Sequence, residues 1–103
     1  MKIFSPDGFK AERAWGSDLI SDFGEVTVRM HWTDQPYHWH QNTGNEVFLV
    51  LDGAVDMHYR ENGLEHSVRL NAGMGVSLQE GDEHVARPIG EARILVVESK
   101  DTE

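Results

Sequence analysis

His38-Trp39-His40-Gln41-Asn42-Thr43-Gly44-Asn45-Glu46-Val47-Phe48-Leu49-Val50-Leu51-Asp52-Gly53 is the stretch on which the reading of this chain turns. Residues two apart on an extended strand share a face, so His38 and His40 present two imidazoles to one point, where a metal ion could join them. Glu46 opens an apolar run that reads as a buried strand closed by a turn glycine, Gly53. Farther on, Gly73, Gly81 and His84 stand in a series that reads as a loop, a short strand and a tight turn delivering one more imidazole. A His-x-His pair alone says little, because a chain of 103 residues with six histidines holds ~0.3 such pairs by chance. The surrounding spacing carries the argument.

That spacing resembles the cupin superfamily, specifically its small single-domain members. The first motif of that family is His-x-His, three or four residues, Glu, six residues, Gly, and His38, His40, Glu46 and Gly53 match it. The second is Gly, five residues, Pro-x-Gly, two residues, His, and Gly73, Gly81 and His84 match it. The motifs span residues 38–84, and strand-like stretches extend the likeness to about residues 25–98. Three positions depart from the pattern: five residues separate His40 from Glu46, Gln79 replaces the motif proline, and Trp32 stands where the first motif usually begins with glycine. The resemblance implies an all-β jelly-roll barrel, the double-stranded β-helix. It also implies that His38, His40, Glu46 and His84 bind a metal.

Bulk composition agrees with one small domain, which at 103 residues buries only a modest core. Apolar residues make up only 39% of the chain, and Trp32 and Trp39 fall near strand ends, so a homodimer is expected to add burial. The net charge of −9, with no basic patch, argues against nucleic acid and anionic membranes as partners. The chain has no cysteine, which removes disulfides and thiolate ligands together. No apolar run has the length of a signal peptide core or a membrane span, so a cytoplasmic protein is expected.

Along the chain, residues 1–24 read as a lead-in that packs on a barrel formed by residues 25–103. Val26, Val28, Met30 and Trp32 alternate with polar residues, the pattern of a half-buried strand. Asp52-Gly53 and residues 88–90 read as turns, Asn62-Gly63 as a hairpin, and residues 92–97 as a final apolar strand. The expected interior is Val28, Met30, Phe48, Val50, Val55, Met57 and Val96. On the same parity His31 and His58 face solvent and His66 is partly buried, so all three fall outside the site. The extra residue before Glu46 belongs in the turn at 41–45, where Gly44 and two asparagines tolerate positive φ. Glu46 is then the fourth ligand.

Three imidazoles and a carboxylate suit Mn, Fe, Co, Ni, Cu or Zn, and leave positions open for water, oxygen or a small-molecule substrate. Arg29, Arg60, Arg69 and Arg87 fall on the parity opposite the apolar face, which speaks against a phosphorylated substrate. Tyr59 is the one inward-reading side chain to nominate as a catalytic acid or base. Two functions stand open: a metal-dependent enzyme of the oxygenase, isomerase or lyase type, or a non-catalytic module that binds a metal or small ligand as a sensor or store.

Overall fold

A computed structural model describes residues 1–102 of the chain as seven strands, with no helix among them. They are β1 (Gly16–Asp22), β2 (Val26–Thr33), β3 (His40–Gln41), β4 (Glu46–Glu61), β5 (Leu64–Asn71), β6 (Gly75–Leu78) and β7 (Glu83–Ser99). All pair antiparallel in the order β1-β2-β7-β4-β5, with β3 on β7 and β6 on β4. No helix of the described residues is long and apolar enough to cross a membrane. The segment read as a lead-in contributes β1, so the sheet begins within it.

Two strands are much longer than the sequence suggests. Asp52-Gly53 does not end its strand: β4 runs on through register shifts at Val50/Asp52 and Asp52/Ala54. β7 likewise passes through Pro88 and Gly90, with Val55 opposite Pro88 and Ala54 opposite Ile89. Each bulge bends its strand without breaking it, so β4 and β7 serve both halves of the barrel. Gly53 is needed at this bend, because its φ is +79° and a Cβ there would lie 2.3 Å from the Glu91 carbonyl oxygen. Both the left-handed φ and the close backbone approach exclude a side chain.

Directly opposed residues share a face, so the pairings define the interior. Glu46, Phe48 and Val50 oppose Glu98, Val96 and Ile94, and Val55 and Met57 oppose Leu70 and Val68 on the other side. Phe48, Val50, Val55, Met57 and Val96 join the core cluster with Ile94, Leu70 and Ala92, as expected. Val28 and Met30 do not. Across β2 it is Thr27, Arg29 and His31 that oppose Glu98, Val96 and Ile94. Met30 and Trp32 are buried on the opposite face, where Lys10 lies over the Trp32 ring and Phe9 accepts a bond from Arg93. Both faces of β2 are covered, and alternation alone does not say which one looks inward.

This inversion moves three expectations. His31 is an interior residue. Arg29 also stands on the inner face, although its guanidinium turns to Ser17 Oγ on β1, 3.3 Å away. His66, expected to be partly buried, is exposed on β5 and stacks against Tyr59.

Candidate functional site

β3 is only two residues long, yet it sets the site, because it places His40 directly opposite His84 on β7. Their ring centroids lie 4.3 Å apart, and His38 follows at 5.6 Å from His40. His40 Nδ1 donates to the His38 carbonyl at 3.2 Å, which leaves Nε2 as the lone-pair nitrogen of that ring. His38 itself is exposed and stacks on Tyr37.

The turn at 41–45 does more than absorb an extra residue. No residue in it has positive φ, contrary to expectation. Gly44 instead lies against the Thr102 and Ser99 side chains, which an added Cβ would push aside. Asn42, in the same turn, is buried, and its Nδ2 donates to the Gly44 carbonyl at 3.1 Å and to Glu46 Oε1 at 3.3 Å. That orientation leaves Oδ1 to accept from His84 Nε2 at 2.6 Å. One amide therefore holds both the carboxylate and the imidazole. It also fixes the tautomer of His84, whose buried Nδ1 is without a partner.

Burial, helped by the field of His40, lowers the pKa of His84 to about 4, so its ring is neutral at physiological pH. Burial raises Glu46, against the Asn42 bond and the His40 field. Glu98, directly across the strand pair from Glu46, is pushed up to about 7 by burial and then by the Glu46 charge, with Arg29 opposing. His31 is lowered by burial, while its bond to the Trp15 carbonyl works against the shift.

These groups share a cavity of about 210 Å³, lined by His31, His40, Glu46, His84 and Glu98 among the polar residues and by Trp15, Tyr37, Phe48, Ala86 and Val96 among the apolar ones. His38 is not on its wall. Tyr59 lies on the same sheet face opposite His84, but it lines a different cavity, of about 320 Å³, with Met57, Arg60, Leu78 and Asp82.

The residues can be tested against a metal. Imidazoles sharing one ion have centroids roughly 4.5–5.5 Å apart, given metal–nitrogen bonds of about 2.0–2.1 Å. The observed 5.6 and 4.3 Å bracket that range. A buried carboxylate and an unpartnered, neutral imidazole nitrogen complete a donor set suited to a divalent transition ion. Among the described residues, however, no three such donors are gathered as a ready group. Donor identity and ring spacing fit; convergence of the donor atoms is absent.

No family model matches the sequence, and no curated protein is similar to it in sequence. Solved structures are similar in fold. A cupin-2 domain protein from Shewanella frigidimarina superposes with a TM-score of 0.77 at 21% identity, over 87% of this chain and 85% of that one. A cupin superfamily protein from Desulfitobacterium hafniense gives 0.74 at 12% identity, over 90% and 84%. The chain has the fold of a small cupin. Also similar in fold is the hydroquinone 1,2-dioxygenase of a Sphingomonas species, with 4-hydroxybenzoate bound, at TM-score 0.72 and 12% identity, over 84% of this chain and 66% of that one.

Of the residues named from the sequence, His40, Glu46 and His84 line this cavity; His31, Trp15 and Glu98, which also line it, and Asn42 behind it were not singled out. Glu98 carried a usable signal, since it keeps the parity of Ile94 and Val96 one step past the apolar run. Asn42 gave none, because a turn residue has no period.

Proposed function

We propose that this cupin is a metal-dependent enzyme acting on a small molecule in the cavity walled by His31, Glu46, His84 and Glu98. His40, Glu46 and His84 would hold a divalent transition ion, with His38, next in the row of rings, as the fourth donor. When bound, such an ion supplies a Lewis acid, an activated water or, if redox-active, an electron path to oxygen. The row of three imidazoles beside a buried carboxylate is the observation that carries this reading.

The chain's own residues supply the rest. Asn42 orients Glu46 and selects the His84 tautomer, as partners behind metal ligands do elsewhere. Phe48, Ala86 and Val96 keep the cavity wall apolar and limit water. Proteins similar in fold include enzymes, the dioxygenase above and an epoxidase from S. wedmorenis, which supports catalysis as a class. The second reading, a non-catalytic binding module, draws on the Asn42 bridge, which already occupies Glu46 Oε1 and His84 Nε2 within the protein.

Elemental analysis of protein purified without metal-affinity steps, followed by an oxygen-uptake screen, tests the proposal. About one transition ion per chain, lost in His84→Ala and in His40→Ala, is expected. A wild-type chain that takes up no divalent transition ion overturns the metal reading. Metal binding without turnover across a broad substrate screen selects the binding module.

A further inference from the structure

Trp15 sits in a backbone conformation that a bulky side chain rarely adopts. It occupies the third position of the turn Arg13–Gly16, closed by Gly16 N donating to the Arg13 carbonyl at 3.0 Å, and its φ is +62°. Glycine usually fills such a position, and glycine stands one residue later. The strain is held by packing: the Trp15 indole donates to the Gln35 carbonyl at 3.0 Å, meets Tyr37 edge-on at 5.4 Å and packs on the core. Strain of this kind, stored beside a cavity, points to a function.

Its consequence is local. The Trp15 carbonyl accepts a bond from His31 Nδ1 at 3.0 Å. A carbonyl only accepts, so Nδ1 carries the proton and Nε2 carries the lone pair. Burial keeps the ring neutral, so that lone pair persists at physiological pH. His31 lines the cavity shared by Glu46 and His84, and Nε2 has no protein partner among the described residues.

The rest of the wall narrows the ligand. Two carboxylates, Glu46 and Glu98, line it, and none of the described lining residues is lysine or arginine. With no metal bound, an anion would be repelled and a hydrogen-bond donor welcomed. Trp15, Tyr37 and Phe48 supply flat apolar surface. At about 210 Å³ the cavity is smaller than the ~300–1,000 Å³ of pockets that take drug-sized ligands, which leaves room for about one ring.

We infer that His31 is a ligand-binding residue whose Nε2 accepts a hydrogen bond from the hydroxyl of a small, planar, uncharged molecule. Trp15 acts through it as a positioning residue, its carbonyl fixing the tautomer. The inference rests on the cavity being the substrate site and names the class of molecule that enters it.

Phenol is the probe, titrated calorimetrically into metal-free and metal-loaded protein, and benzoate is its anionic control on the metal-free protein, while ¹⁵N NMR follows the His31 ring. Phenol should bind at one site and shift the His31 Nε2 resonance, with benzoate at least ~10-fold weaker. His31→Leu should weaken phenol roughly 5- to 10-fold, the worth of one hydrogen bond, and His31→Gln should recover part of it. Both variants should keep wild-type metal binding, so a failure of the metal reading shows separately from a failure here. Equal phenol affinity in wild type and a folded His31→Leu, no phenol binding in wild type, benzoate binding as tightly as phenol, or an Nε2–H tautomer in the free protein would each overturn the inference.

Discussion

Asn42 joins the two residues on which the site depends, and its neighbours respond differently to replacement. Glu46→Ala should weaken metal binding by more than ~100-fold, beyond the ~10–100-fold that loss of an outer partner costs. Glu61→Ala, at the exposed end of β4, should leave affinity unchanged. Competition against a chromophoric chelator compares the two, and equal affinities would remove Glu46 from the donor set. Glu98 gives a second test, in metal-free protein. Its carboxyl titrates at about 7 in the fold against an ordinary 4.5, so the folded state binds the extra proton and stability falls as pH rises between those values. His84, at about 4 against 6.5, works the other way, costing stability as pH falls through that window. Glu98→Gln should therefore gain about 1–3 kcal/mol at pH 8 over wild type, allowing for partial exposure, and nothing near pH 4. Urea unfolding at the two pH values checks this; an equal gain at both would refute the burial account. That His40, Glu46 and His84 come together was legible because motif spacing is a property of sequence. Which atom of His84 is free was not, because that depends on Asn42 crossing from the turn.

The two long strands decide how the motifs meet. Because β4 and β7 bend where they were expected to end, Glu46 and Tyr59 ride on one strand, and His84 and Glu98 on another. Gly53 makes the bend possible, and Gly53→Ala should cost about 2–4 kcal/mol, from positive φ plus collision with the Glu91 carbonyl. Gly63→Ala, with similar φ at an open hairpin where a Cβ meets nothing, should cost less than half as much. Thermal unfolding of both variants separates the terms, and equal losses would mean that the close approach contributes nothing. Strand content was readable from alternation and turn residues, since Val55, Met57 and Phe48 face where period two places them. The inward face of β2 was not, because Met30 and Trp32 are buried on its other face, Trp32 beneath Lys10, and so carry the same apolar signature as a core face. Continuity through Pro88 was hidden for a related reason: a proline reads as a break unless a bulged partner strand is known to lie opposite.

At the scale of the molecule, the chain leaves apolar groups outside. Met1, Ile3 and Phe4 are exposed in an extended amino-terminal arm, and Leu19, Val47, Leu64 and Ile89 are exposed on the body. Burial of some of these in a second copy fits the small core, and light scattering at tens of micromolar should report a dimer; a monomer throughout that range would count against it. Deleting residues 1–4 should shift that equilibrium toward monomer if the arm contributes. The proposed chemistry centres on the cavity where β3, β4 and β7 meet and requires that the histidines there hold a metal ion. Calorimetric titration of Zn²⁺ into the metal-free chain across pH tests it most directly. One ion per chain is expected near neutrality, with affinity falling as the pH is lowered toward about 4, where His84 takes up a proton. Affinity unchanged from neutrality down to about pH 4 would contradict it.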